Sequence, residues 1–388
     1  MQFHRPILRV FITIFILALA APALWAADCW VYFGTFTDTT SRGVYVSGLN
    51  MDTGTLSKPQ LIVAVPSPNY LAVSPDGRFL YVAERRDNTT NGGFIDAFAI
   101  DGSSSNVTLL DRKSAGGAGP CFVGVDATGQ NVFCANYNGG SVKSFHVNAD
   151  GTLTDGTVIQ HHGHSINPDR QMAPHAHCFV GAPSGPFALA CDLGMDKVMV
   201  YHVDPATAAL THGNPPFSSV EPGSGPRHVA FSPDGKTACV ICEMACHVVV
   251  FNWDGSSGKL HQRQTISLLP DGEYTNSFGA AEIVYRPDGR FVYGTVRGPA
   301  GVPGANSISV LTVDKKTGDL KLVQNVPCGG DFPRGLGVDP SGRWLIVGNQ
   351  KSGTVTEFAI DSDDGKLTPV GHPWPVGSAV DVKFAPMH

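Results

Sequence analysis

Six short segments of the chain carry the same pattern, a glycine-containing turn followed at once by an apolar run. They are SPDGRFLYV (74–82), DATGQNVFCA (126–135), APSGPFALA (182–190), SPDGKTACV (232–240), RPDGRFVYG (286–294) and DPSGRWLIV (339–347). Their glycines, at positions 77, 129, 185, 235, 289 and 342, recur every 50 to 56 residues. A fixed period of this length marks a repeat architecture. Each unit also has an apolar strand before the glycine and, after a polar connection, an alternating strand such as CHVVVFNW or GTVTEFAI. A second turn, as in DKKTGDL or DSDDGKL, leads into a fourth strand. Four antiparallel strands per unit make a propeller blade. No segment sustains a helical period, which removes α/β barrels, dinucleotide-binding folds and helical solenoids.

Seven inner strands are predicted, beginning near Tyr70, Cys121, Ala176, His228, Glu282, Gly335 and Ala379. The expected fold class is therefore all-β, a seven-bladed propeller of four-stranded antiparallel blades. The chain ends one strand into its last blade with VGSAVDVKFAP, whereas CWVYFGTFT and GVYVSGLN lie near the start. The N-terminal strands are expected to join that C-terminal inner strand and close the ring, removing the sheet edges that invite aggregation.

Residues 1–26 read as a signal peptide: His4, Arg5 and Arg9 precede the apolar run Val10–Ala21, followed by Pro22 and the small residues Ala23, Ala26 and Ala27. The run is shorter than the roughly 20 residues of a membrane span. The expected division is thus a signal peptide over 1–26 and a single propeller domain over 27–388, exported to the periplasm or outside the cell and without a membrane anchor after cleavage. Nine cysteines in an exported chain permit disulfides, with at least one thiol left over in a monomer. Cys239, Cys242 and Cys246 are read as core or paired cysteines, since strand residues three apart point to opposite faces and chelate poorly. A net charge of −6 with no Lys/Arg block argues against nucleic acid as a partner.

In a propeller, the start of each blade's first strand and the end of its second strand share one rim. On the first strands that rim receives Asn69, His175, His177, Arg227, His228, Glu282 and Arg334; on the second it receives Glu84, Arg85, Asn136, Asp192, Glu243, Arg297, Asn349 and Gln350. The opposite rim carries ordinary Pro, Asp and Gly turns. Any one of these groups could simply cap a strand or bind channel water. Three His, several Arg and several carboxylates crowded into one mouth instead suggest a site with perturbed acidities.

The runs NPDRQMAPHAH (167–177), GSGPRHVAFSPDGKTACVICE (223–243), AEIVYRPDGRFVYGTVRG (281–298) and PRGLGVDPSGRWLIVGNQKSGTVTEF (333–358) resemble the seven-bladed propeller lactonase family. That family includes propeller-type 6-phosphogluconolactonase and the lactone-forming carboxy-cis,cis-muconate lactonising enzyme. The resemblance implies an enzyme acting on sugar-acid lactones, with no cofactor and no metal. It places the family's catalytic His, Glu and two Arg on His177 or His175, on Glu243, and on Arg227 and Arg297. His177 is preferred of the two histidines, and the PRG motif adds Arg334 as a substrate-binding residue.

The expected mechanism uses His177 or Glu243 as general base on water, Arg227 or Arg297 at the developing oxyanion, and the remaining arginines on a substrate phosphate or carboxylate. Arg334, His228, Asp192, Asn136, Glu84, Arg85, Glu282, Gln350, Arg170 and Gln171 are the expected substrate-binding residues. For Arg170 and Gln171 the alternative is loop anchoring. His161, His162 and His164 could chelate a metal but suit a loop equally well. Neither a GxSxG elbow nor a Gly-rich phosphate loop is present. Two sequons, at Asn88 and Asn106, matter only in a eukaryotic secretory pathway. The rival readings are a non-catalytic propeller presenting its rim to an exported protein or glycan, and a lactone-forming cycloisomerase.

Overall fold

The computed structural model describes residues 28–86, 92–270 and 277–387. The segment read as a signal peptide, and the sequon at Asn88, lie outside them. The described residues form seven antiparallel sheets. Six consist of four consecutive strands and span residues 68–114, 120–160, 176–219, 226–267, 279–327 and 333–375; they are numbered here as blades one to six. Blade seven is shared between the two ends of the chain, as expected. Its inner strand Ser378–Pro386 pairs along its length with Cys29–Phe36, from Phe36↔Ser378 to Cys29↔Pro386. Gly43–Asn50 follows, and Thr55–Leu56 and Gln60–Ala64 both pair with it at the outside. No helix among the described residues is long and apolar enough to cross a membrane.

The repeated glycine is required by the backbone. All six adopt φ between +69° and +75°, where a side chain would be strained. The second strand of a blade is buried on both faces and reads as an apolar run, as in Phe187–Asp192. Outer strands such as Val107–Ser114 are largely exposed and polar. Aromatic rings knit neighbouring blades together, with the centroids of Phe133 and Phe179 at 4.8 Å. At the closure, Asp381 Oδ2 accepts the Leu71 N–H of blade one at 2.7 Å, so the final inner strand is also tied to the first complete blade.

All nine cysteines are buried and unpaired. Cys239, Cys242 and Cys246 are core residues; Cys239 Sγ lies 3.0 Å from the Tyr285 hydroxyl, and no group of His, Cys, Asp or Glu among the described residues is arranged to hold a metal. His161 is fixed in a buried network in which its Nδ1 faces Asp192 Oδ2 at 2.6 Å and its Nε2 faces the Tyr201 hydroxyl at 2.7 Å. His164 is exposed, and its Nδ1 faces the neighbouring Ser165 carbonyl at 3.3 Å.

One buried carboxyl departs from the general satisfaction of the core. Glu357, in the strand Thr354–Ile360, leaves Oε1 without a partner among the described residues. Burial, reinforced by Asp339, pushes its carboxyl up to about 8. The neutral form is the one the fold favours, so its contribution is complete below the ordinary carboxylate pKa and is lost as pH rises through about 8. The melting temperature of the native protein should fall between pH 7 and pH 9 by more than that of Glu357→Gln, measured by circular dichroism. Equal slopes would contradict this assignment.

Candidate functional site

Every blade carries the same irregularity at one rim. The pairing of first and second strands slips so that the inner strand has one residue more than its partner. The supernumerary residues are Asn69, Cys121, His177, Arg227, Arg334 and Val380, while in blade five Ala281 and Glu282 together face Thr295. A β-bulge of this kind frees one side chain from the ladder and re-aims it. The rim predicted from strand order is thus a ring of bulges around the channel mouth.

A cavity of about 220 Å³ opens there, lined by Arg85, Gly119, Cys121, Tyr137, Asn138, Arg170, His177, Glu243, Arg297 and Arg334. A larger hollow of about 520 Å³ lies on the opposite rim among the hairpin turns of blades four and five. It mixes Lys236, Arg263, Lys315 and Lys316 with Asp234, Asp288 and Asp314, and none of the mouth residues reaches it.

Glu243 is the centre of the mouth. Its Oε1 accepts Arg170 Nη2 at 2.7 Å, and its Oε2 accepts Arg297 Nη2 at 2.9 Å and Arg227 Nε at 3.2 Å. Burial alone would raise its pKa, but Arg297, Arg227, His177 and Arg170 together hold the carboxyl well below its usual range. A carboxylate so depressed, with both oxygens occupied, is a poor proton acceptor at neutral pH. Glu243 is therefore a fixed anion that organises cations.

His177 is buried, and burial followed by Arg227 and His228 holds it well below the ordinary imidazole range. It is neutral at pH 7. Its Nδ1 is fully buried with no partner among the described residues, so Nε2 is the ring nitrogen able to meet a ligand in the cavity. His175 does not line the cavity. Its Nδ1 faces the Tyr137 carbonyl at 2.9 Å and its ring stacks on Tyr137 at 4.5 Å, so it supports the wall.

The arginines divide by role. Arg227 is only 2% exposed and lies behind Glu243 rather than in the wall, which removes it from direct contact with a ligand. Arg297 lines the cavity and is locked by bonds from Nε to Gly279 O at 3.1 Å and from Nη2 to Ala280 O at 2.8 Å. Arg170 sits at the tip of a turn in which Asn167 Oδ1 accepts the N–H groups of Asp169 and Arg170, each at 3.0 Å. Gln171 anchors that turn through a 2.8 Å bond to Leu193 O and does not face the cavity. Arg85 and Arg334 both pack against the Phe36 ring, at 5.9 and 5.4 Å, and neither has an acidic partner among the described residues. Burial, with Arg227 and Arg297 nearby, pushes Arg334 down to about 9.

Several expected ligand contacts are instead structural. Asn136 donates to Ala115 O and Ser141 Oγ, and Asp192 accepts the backbone N–H of His175 besides its bond to His161. Glu84 is paired with Arg86 and Arg112, and Gln350 bonds through its backbone to Phe332 and Ser378 and does not line the cavity. His228 and Glu282 lie beneath the cavity floor, where the rings of Tyr70, Phe122 and His228 close the channel with centroids 4.4 to 5.4 Å apart. The reason is the alternation of a strand: Glu84, Asn136, Asp192 and Asn349 occupy one register position, opposite Pro68, Pro120, Ala176 and Pro333, and turn into the blade. In blades one, two, four and five the residue after this position faces the mouth, which gives Arg85, Tyr137, Glu243 and Arg297, whereas Leu193 and Gln350 at the same place do not line the cavity. Tyr137 was missed from sequence, although its place one residue after Asn136 carries that signal; its hydroxyl accepts Arg170 Nη2 at 3.2 Å.

A family model for the lactonase 7-bladed beta-propeller matches residues 30–384. The chain belongs to the propeller lactonase family. This lactonase is 34% identical over 353 residues to a 6-phosphogluconolactonase of Bacillus subtilis, covering 91% of the chain and 97% of the relative. It is 29% identical over 341 residues to a 6-phosphogluconolactonase of Formosa agariphila, covering 87% and 94%. Among solved structures, the periplasmic gluconolactonase of Pseudomonas aeruginosa superimposes with a TM-score of 0.85 at 31% identity, covering 93% of this chain and 99% of that one. Membership supports an enzymatic role over that of a rim presented to a protein or glycan.

The ion cluster generates a contrast in stability. Glu243→Ala leaves buried guanidinium groups uncompensated and should cost about 3 kcal/mol or more, whereas Arg170→Ala removes a half-exposed partner and should cost about 1 kcal/mol or less. Thermal melts of the two variants check this; equal losses would contradict it.

Proposed function

We propose that this lactonase hydrolyses a sugar-acid lactone carrying a phosphate or carboxylate, a 6-phosphogluconolactone-like substrate or a related aldonolactone. The observation that supports this most is the charge of the mouth. Four arginines and one carboxylate line it, that carboxylate is already engaged by Arg170 and Arg297, and Arg85 and Arg334 are left for a ligand. Guanidinium groups bind carboxylate and phosphate through paired hydrogen bonds, and a low dielectric strengthens them.

In the proposed reaction His177 Nε2 takes a proton from water as its oxygen attacks the lactone carbonyl carbon. Arg297 faces the oxyanion of the tetrahedral intermediate, where a preorganised cation is most effective. The intermediate collapses with cleavage of the ring C–O bond, and the imidazolium returns its proton to the departing alkoxide. One water is consumed, and the products are a carboxylate and a hydroxyl on the opened chain, with one proton released at neutral pH. Without a carboxylate on Nδ1 the imidazolium is short-lived, which suits a proton that is passed on rather than held. The periplasmic relative also supports reading residues 1–26 as an export signal.

Acid release from gluconolactone and 6-phosphogluconolactone, corrected for spontaneous hydrolysis, tests the reading. The phosphorylated lactone should show a KM about tenfold lower, as charged hydrogen bonds imply. His177→Ala should lower kcat at least about tenfold. No acceleration of any lactone would remove the proposal. Because His177 is held below the ordinary range, kcat/KM should stay flat from pH 8 down to 6.5 and decline only below that. An acid limb above pH 6.5 would count against His177 as the base.

A further inference from the structure

Beneath the cavity floor a line of polar groups runs through the core and reaches the mouth only at its last member, Glu243. Tyr70 O–H donates to Glu282 Oε2 at 3.2 Å, and Glu282 Oε1 faces His228 Nδ1 at 2.8 Å. On the other side of the imidazole, His228 Nε2 lies 3.3 Å from Arg227 Nη1, and Arg227 Nε reaches Glu243 Oε2 at 3.2 Å. Tyr70, Glu282, His228 and Arg227 lie on the inner strands of blades one, five and four, and Glu243 directly follows the second strand of blade four. All are buried.

The donor count fixes the state of the imidazole. A guanidinium only donates, so Nε2 must present its lone pair to Arg227 and the proton must sit on Nδ1. Glu282 is what makes that tautomer favourable, because its Oε1 accepts from Nδ1 while also accepting the Ile283 N–H at 3.2 Å. We infer that Glu282 and His228 are positioning residues, fixing the Nδ1–H tautomer so that Arg227 is held against Glu243 and, through that carboxylate, Arg297 and Arg170 are aimed into the cavity. The opposite tautomer would set an N–H against the guanidinium and push Arg227 away from Glu243.

The surroundings favour a neutral imidazole. His228 meets Arg227 on its own strand, Glu243 just past the end of the adjacent strand, Glu282 of blade five, His177 of blade three, Arg334 of blade six, Lys383 of blade seven, and the rings of Tyr70 and Phe122 from blades one and two. Burial and then the cations hold it well below the ordinary range, so it is uncharged at pH 7.

The effect on turnover rests on the lactonase reading above; the tautomer does not. Long-range 1H–15N spectra of the full chain labelled in histidine, with His228→Gln for assignment, should show His228 protonated on Nδ1 at pH 7. Glu282→Leu should lower kcat at least about tenfold with KM changed by less than about threefold, since a misaimed group costs mainly in the transition state. Glu282→Gln keeps an acceptor for Nδ1–H and should stay within about threefold of the native kcat. A native His228 protonated on Nε2 would overturn the inference. So would native kcat in the Leu variant, or a Gln variant as slow as the Leu one. Should Glu282→Leu fail to fold, the native tautomer and the Gln variant decide. If the native protein opens no lactone, the reading of its reaction falls while the spectra still judge the pair.

Discussion

The Glu243 carboxylate, held by Arg170, Arg227 and Arg297, is the interaction on which the mouth depends. Guanidinium groups this close would repel one another in a dry cavity, and one anion at their centre allows them to share it. The three come from different places: a loop after blade two, the inner strand of blade four and the second strand of blade five. The carboxylate therefore joins segments that the sheets alone do not pair. An anion so stabilised has little basicity, which is why the proposed reaction gives proton transfer to the neutral His177.

The bulge that recurs at the start of the inner strands is the device that delivers these groups. A regular ladder would alternate side chains between the two faces of the blade, both packed against neighbouring blades. The extra residue takes His177 and Arg334 out of that alternation and lets them face the channel. Arg227, equally displaced, is caught beneath the mouth by Glu243 and His228 and becomes support rather than surface.

The blade repeat, the number of sheets and the closure by N-terminal strands were legible in the sequence, because glycine at positive φ and the apolar runs after it are dictated locally. So was the rim at which the mouth cavity opens. What could not be read was which of two adjacent polar residues faces the mouth. Asn136 and Tyr137, or Glu84 and Arg85, differ by one place, and one place reverses the side of a strand. Asp192 looked like a ligand contact but is needed inside the blade, where it fastens His161 and the turn before His177. The depth of His228 and Glu282 was hidden for a related reason, since the bulge shifts the count by one just where the floor begins.

The most direct test of the account follows the Glu243 side-chain carboxyl carbon by 13C NMR through an acid titration. The carboxyl should remain ionised from pH 8 down to pH 4.5, showing no midpoint in that range, because three guanidinium groups stabilise the charged form. A midpoint above pH 4.5 would contradict the account, since Glu243 would then be a proton acceptor rather than the fixed centre of the site.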